Sequence, residues 1–396
     1  MQITFDLLQT TAIGSAVVFL GIWLRRRVLL LERYCLPGPV VAGLLASLFF
    51  LLLRTAFGVQ ITWNLQMKDL FMNLFFTCVG FGASAKLLRM GGARVLAGIA
   101  ISICGLVVLQ NIVGIAIAVP MGMHPLNGMM CSSVATAGGV GTAAAFGPVF
   151  EGYGAPDSGV IGVAAGTFGM IFASLIGGPV ARGIIQKRKL RPTDAALSEE
   201  ERRQVPLSNS RLVGSWCLIF LIGGLGSYLS FALQKIPMIE MPYFIGCIFS
   251  GVIFRNLMEA AHLPFDLPEI ESISDVSLDI FLALALMSID LTRLLDSALV
   301  MMVILAAQII LIVLWAHFCH RFLFGGDYNG AVMVAGLIGT GLGAGSNAVA
   351  NERAVMQQFG PSQVAWIVFP AWSVIVVDIF NPLFVSLIAP LLARWG

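Results

Sequence analysis

The stretches Cys131-Ser132-Ser133-Val134-Ala135-Thr136-Ala137-Gly138-Gly139-Val140-Gly141-Thr142 and Gly339-Thr340-Gly341-Leu342-Gly343-Ala344-Gly345-Ser346-Asn347 decide the fold. One lies in each half of a chain built mostly of apolar segments of membrane length. Glycine clusters break helices, and a break inside a bilayer leaves backbone N–H and C=O groups that lipid cannot satisfy. A chain that breaks twice, at matching places, is expected to use the freed backbone to hold a polar solute or an ion. That arrangement belongs to secondary transporters.

Working outward, the composition sets the class. The 396 residues are 58% hydrophobic and 11% charged, with a mean hydropathy of +0.92, whereas soluble domains carry roughly 25% charged residues. A spanning helix needs about 20 apolar residues. Spans are expected near 6–24, 38–57, 69–85, 93–119, 159–184, 212–233, 240–257, 274–290, 298–322 and 362–388. Between them, 125–150 and 329–351 are apolar but rich in Gly, Ala, Ser and Thr. At roughly 25 residues each is too long for one straight crossing and too short for two. A re-entrant hairpin fits, since an arm of about 12 residues reaches about 18 Å.

The hydrophilic region 186–211, with Lys187-Arg188-Lys189 and Glu199-Glu200-Glu201, reads as a solvated linker between halves 1–185 and 212–396. The halves resemble each other. Asn127-Gly128 answers Asn329-Gly330, Gly139-x-Gly141 answers Gly341-x-Gly343, Gln110 answers Gln308, and Pro179 answers Pro382. An ordered set of matches of this kind marks an internal repeat. Charge then orients the chain. With the N-terminus outside, about eighteen Lys and Arg between Arg25 and Arg353 fall on inside-facing loops, against five (Arg54, Lys68, Lys235, Arg293, Arg394) outside. Five spans per half is an odd number, so the repeats are expected to be inverted, with hairpins entering from opposite faces. The basic cluster Arg25-Arg26-Arg27 follows the first apolar run, the reverse of a cleavable signal, so that run is expected to stay as a span.

The chemistry is expected at the broken segments. Ser133, Thr136, Gly138, Gly139, Gly141 and Thr142 in the first, and Gly341, Gly343, Ser346 and Asn347 in the second, are the candidate substrate-binding residues. Helix N-termini there suit a carboxylate, and freed carbonyls suit Na⁺. Asp378, near the centre of the last span, costs at least about 2.5 kcal/mol if uncompensated. Asn381 lies three residues on, and Pro382 frees a carbonyl in the turn before it. Asp378 and Asn381, with Gln110, Asn111 and Gln308 in the long central spans, are the candidate Na⁺ ligands. Glu352 and Arg353 read as a solvated pair near the inner mouth.

Other classes lack their parts. The four histidines show no zinc-type spacing, and no GxSxG, GxxxxGK[ST] or HExxH string occurs. The seven cysteines form no CxxC pair and read as small apolar packers. An enzyme is therefore not expected. A passive channel remains the alternative, because Gly-rich hairpins dipping from both faces also build pores.

The segments "LPGPVVAGLL" (36–45), "LQNIVGIAIA" (109–118), "GGVGTAAAFGPVFEGYG" (138–154), "GLGAGSNAVAN" (341–351) and "FGPSQVAWIVFPAWSVIVVDIFN" (359–381) together resemble the glutamate:sodium symporter family of bacterial inner-membrane carriers. The resemblance implies an all-α polytopic carrier of ten spans and two re-entrant loops that takes up L-glutamate with Na⁺. It also implies alternating access, residence in the inner membrane with a cytoplasmic linker and external termini, and a homodimer as a family expectation. Nucleic acid has no place in it. Gly138, Gly139, Gly141, Gly341 and Gly343, with Asp378 and Asn381, match the family's functional positions. At the proposed tips the chain departs from the family, with Val140 where His is frequent, Gly345-Ser346-Asn347 where Thr-Pro-Thr occurs, and Glu352 where Met is found. A carrier of another amino acid or organic anion is the alternative these departures leave.

Overall fold

A computed structural model of the chain describes residues 2–28, 37–84, 92–192, 208–234, 243–288, 297–362 and 364–394. Cys35, Lys86, Arg89, Lys235, Arg293 and the linker charges from Glu199 to Arg203 lie outside them.

The long helices are α1 (Leu7–Arg27), α2 (Gly38–Phe57), α3 (Gln66–Gly82), α4 (Ala93–Ala118) and α7 (Ser158–Arg188) in the first half. In the second half they are α8 (Asn209–Gln234), α9 (Tyr243–Ala260), α10 (Leu267–Met287), α11 (Ala298–Phe322) and α14 (Phe369–Leu392). Eight of the described helices are long and apolar enough to cross a membrane. The other two fall short for separate reasons: α3 has 17 residues, and α10 carries Glu269, Glu271, Asp275 and Asp279. Outward-facing Phe19, Phe49, Phe220, Leu221 and Phe231 leave an apolar exterior of the kind lipid covers. This is an all-helical polytopic membrane protein.

Between α4 and α7 the chain forms α5 (Pro125–Met129), a wide turn of π geometry at Met130–Val134, and α6 (Gly139–Gly152). Between α11 and α14 it forms α12 (Tyr328–Leu342) and α13 (Gly345–Phe359). The second broken segment thus ends eight residues beyond the expected 351. The breaks have local causes. Ser132 leaves helical geometry (φ −105°, ψ −131°), and Gly139 takes φ +72°, a left-handed conformation that a side chain would strain. At the second break Gly343 leaves helical geometry (φ −133°, ψ −96°) and Ala344 is extended, so the helix stops at Leu342 and restarts at Gly345.

Two layers result. In one, α1, α2, α3, α8, α9 and α10 pack on one another; in the other, α4 to α7 pack with α11 to α14. Each layer therefore draws on both halves of the chain. The layers meet where α6 faces α10 and where α14 faces α3 and α9. Phe244 of α9 joins them, stacked on Phe76 (4.5 Å) and edge-on to Phe146 (5.3 Å). A two-strand parallel pair, Gln2–Thr4 with Gln60–Thr62, ties the start of α1 to the link after α2, so these two helices run in opposite directions.

Equivalent polar bonds recur in the two halves. Ser158 Oγ donates to Asn127 Oδ1 (2.5 Å), and Ser362 Oγ donates to Asn329 Oδ1 (2.8 Å). Each bond fastens the first arm of a broken segment to the loop that follows its second arm.

The α3–α9 crossing is closer than side chains allow. A Cβ on Gly251 would meet the Thr77 carbonyl and lie 2.6 Å from Phe81 N, backbone that cannot give way. Gly251→Val is expected to lower the melting temperature in detergent, reflecting a loss of about 1–3 kcal/mol or more. Gly224→Ala, where nothing lies within 4 Å, should raise it slightly, since Gly in a helix interior costs roughly 0.5–1 kcal/mol relative to Ala.

Candidate functional site

The long helices α4 and α11 cross at the centre of the second layer, and each carries one glutamine at the crossing. Gln110 Nε2 donates to the Gly341 carbonyl (2.7 Å), gripping the second broken segment. Gln308 Nε2 donates to Ser132 Oγ (3.0 Å) and to the Gln110 backbone carbonyl (2.9 Å), gripping the first. Each half therefore holds the other half's break. Asn111 Nδ2 donates to Ser133 Oγ (2.7 Å) and to the Val107 carbonyl (2.8 Å).

Ser133 is a hub. Its hydroxyl donates to Asn381 Oδ1 (2.7 Å), while Asn381 Nδ2 donates back to the Ser133 carbonyl (2.9 Å). Asn381 thereby clamps the first broken segment to α14, with both ends of its amide engaged. Every residue in this network is buried. The amide nitrogens are all committed, yet Gln110 Oε1, Asn111 Oδ1 and Gln308 Oε1 have no donor among the described residues. Three buried amide oxygens without donors are costly to leave empty. Neutral oxygens are also what a hard monovalent cation takes as ligands.

The tips of the two broken segments lie against each other. A Cβ on Gly139 would sit 3.3 Å from the Gly343 carbonyl. Both α6 and α13 begin there without a side-chain cap. At α13 the N–H groups of Asn347 and Ala348 reach the Ala344 carbonyl, which leaves those of Gly345 and Ser346 as the orphan donors, and both helix dipoles present positive ends. Ser346, in the first turn of α13, is exposed, and Gly141 faces Leu278 of α10 across the boundary between layers.

The remaining expected residues divide by role. Gly138 donates its N–H to the Ser133 carbonyl (2.8 Å), and Thr136 Oγ1 donates to the Ser132 carbonyl (2.8 Å); both shape the break. Thr142 is buried in the first turn of α6. Asn347 is buried and donates to the Met170 carbonyl (3.0 Å) and to Ser174 Oγ (2.8 Å), so it anchors α13 to α7. Asp378 parts company with Asn381. It is half-buried, with no hydrogen-bond or ion-pair partner among the described residues. It follows by one turn Val374, whose side chain would lie 2.7 Å from a Cβ on Gly345 at the α13 tip.

One expectation is overturned. Glu352 is fully buried, while Arg353 beside it is exposed. Successive helical residues point about 100° apart, so adjacency does not make a pair. The signal lay in Asn347 and Asn351, four residues apart on one buried face; Asn351 Nδ2 donates to the carbonyls of Ala173 (3.0 Å) and Ala335 (3.3 Å). Ser132, which receives Gln308, stood in the quoted stretch but was not singled out.

Long apolar helices, two breaks meeting tip to tip and a buried network of amides bonded to both breaks define a polytopic membrane protein with an internal polar site. The family model described as sodium/glutamate symporter matches residues 3–361. The sodium/glutamate symporter of Escherichia coli (strain K12) is 34% identical over 392 residues, covering 96% of this chain and 97% of that protein. The one from Haemophilus influenzae (strain ATCC 51907 / DSM 11121 / KW20 / Rd) is 32% identical, covering 96% of each. The chain belongs to the sodium/glutamate symporter family and is a multi-pass inner-membrane protein.

Ser133→Ala removes the donor to Asn381 and the acceptor for Asn111 together. A melting curve in detergent should show a loss corresponding to about 1–3 kcal/mol, whereas an unchanged midpoint would mean that the hub carries no structural load.

Proposed function

We propose that this chain is a Na⁺-coupled L-glutamate symporter of the inner membrane, working by alternating access. The observation that carries the reading is the meeting of two uncapped helix N-termini, together with three donorless buried amide oxygens on Gln110 and Gln308, which hold the same two breaks, and on Asn111. One feature suits anions and the other suits a cation, as a symporter of the two requires. The relatives' names supply the identity of the pair.

In this reading Na⁺ is taken up by Gln110, Asn111 and Gln308. The substrate carboxylates lie at the starts of α6 and α13, next to Gly139, Gly141, Thr142, Gly343 and Ser346. Asp378 was expected among the Na⁺ ligands. Its half-exposed place on the α14 stripe that faces the α13 tip, apart from the amides, favours the substrate's ammonium instead. No Lys or Arg contacts these tips among the described residues, so backbone N–H groups carry the neutralisation.

The two broken segments are proposed as re-entrant hairpins of two inverted repeats, residues 1–185 and 212–396, joined by a cytoplasmic linker. The reciprocal grips of Gln110 and Gln308 and the paired Ser158–Asn127 and Ser362–Asn329 bonds support that assignment. The layer of α4 to α7 with α11 to α14 then moves against the other layer, whose close helix crossings suit a static frame.

Proteoliposomes given an inward Na⁺ gradient should accumulate labelled glutamate above its external concentration; current without accumulation would make the protein a channel. Gln308→Leu removes one amide oxygen and should raise the Na⁺ concentration for half-maximal uptake about tenfold, equivalent to about 1.4 kcal/mol. For Asp378→Asn, the apparent affinity for glutamate should fall at least about tenfold with Na⁺ dependence kept. Loss of Na⁺ stimulation instead would return Asp378 to the ion site.

A further inference from the structure

Glu352 lies on α13, away from the amide ring and from the tips. Its side chain is completely buried, and neither carboxylate oxygen has a hydrogen-bond partner among the described residues. The space it fills is shaped for it. Opposite, on α12, stands Gly336, where a Cβ would collide with Glu352 Oε1 and lie 2.6 Å from the ring of Phe369. A carboxyl group is thus enclosed between a glycine that makes room for it and an aromatic face that offers it nothing.

Among the described residues no charge is paired with it. On α12 the nearest titratable side chain is Tyr328, eight residues from Gly336, and its hydroxyl donates to the Gly360 carbonyl. On α14 it is Asp378, nine residues beyond Phe369, and it would repel rather than attract. The turn Val364–Val368 contains no titratable residue. On α7, Arg182 is exposed and lines a cavity with Ala354, Val355 and Gln358, and it forms no bond with either Glu352 oxygen. On α13 itself Arg353 points outward.

An unpaired carboxylate in such surroundings is among the most expensive things a protein can bury. A metal cation would neutralise it but needs several oxygen ligands; Gly336 and Phe369 supply none, and the buried hydroxyls one turn away, Thr340 and Ser373, lie 3.5 Å from each other. A proton needs only the carboxyl. We propose that Glu352 is a proton-binding site of this carrier, loaded while α13 is packed against α12 and α14 and discharged when α13 separates from them and water enters.

The packed state therefore carries H⁺. Glycines bound the element that would move: the chain leaves helical geometry at Gly343 (φ −133°, ψ −96°), and Gly360 takes φ +117°. Since α13 also brings one of the two tips to the substrate, its displacement during transport would take Glu352 with it. The coupling step rests on the carrier reading given above; the protonation itself does not.

Infrared difference spectroscopy of the purified wild-type protein and Glu352→Gln should show a protonated-carboxyl C=O band at neutral pH that the variant lacks and Asp378→Asn retains. A spectrum unchanged by Glu352→Gln would mean that the group is ionised, and the proposal would fall whatever the protein transports. In lightly buffered proteoliposomes with a lumenal pH dye, Na⁺-driven uptake by the wild type should be accompanied by proton movement. Glu352→Gln, which copies the neutral acid, should lose that signal and keep uptake. Should the variant fail to fold, the wild-type trace decides alone: uptake with no proton movement overturns the coupling. Absence of glutamate uptake, with the infrared band present, would count against the substrate assignment and leave Glu352 as a proton site.

Discussion

Backbone and amide groups buried without partners are the constraint to which the rest of this structure answers. Breaking two helices in an apolar interior exposes carbonyls and N–H groups that must find partners in the protein or in something it carries. Gln110 and Gln308 meet part of that demand, each from the opposite half, and Ser133 and Asn381 meet more. What they leave over, three amide oxygens and the first N–H groups of two helices, is the surface that the proposed function assigns to ion and substrate. Stability and binding are thus two uses of one set of polar groups. Whatever fills the amide ring also relieves a folding penalty, so occupancy and compactness rise together.

The two layers divide the work. Glycines let α3 and α9 approach backbone to backbone, and a crossing of that kind cannot slide without losing contact. The other layer holds both breaks and both grips. Their boundary is apolar and aromatic around Phe76, Phe146 and Phe244, with few directional bonds to undo. Under the proposed alternating access, an aromatic boundary of this kind suits displacement of one layer against the other.

Most of the helices were legible because bilayer-length apolar runs have few other readings. The breaks were legible because glycine clusters inside such runs violate the rule that lipid-facing backbone be bonded. Gln110, Gln308, Asn111 and Asn381 stood out for the same reason, as amides with no solvent to turn to. What each one does was not legible. Asn381 and Asp378, three residues apart, have different fates because one meets Ser133 and the other finds no such partner among the described residues. Glu352 was misread because its burial is decided by Gly336, sixteen residues earlier on another helix. Local charge pattern speaks of solvent only where the opposing face is known.

The reciprocal grips also bear on how the protein is made. Gln308 is synthesised almost two hundred residues after Gln110, and the acceptor of Gln110, the Gly341 carbonyl, comes later still. Until α11 and α12 emerge, the first half sits in the membrane with Ser132 lacking its donor and Gln110 lacking its acceptor. The polar bonds of the first half are therefore completed only by residues from the C-terminal half, and a chain cut short after the linker would be unfinished in energetic as well as covalent terms.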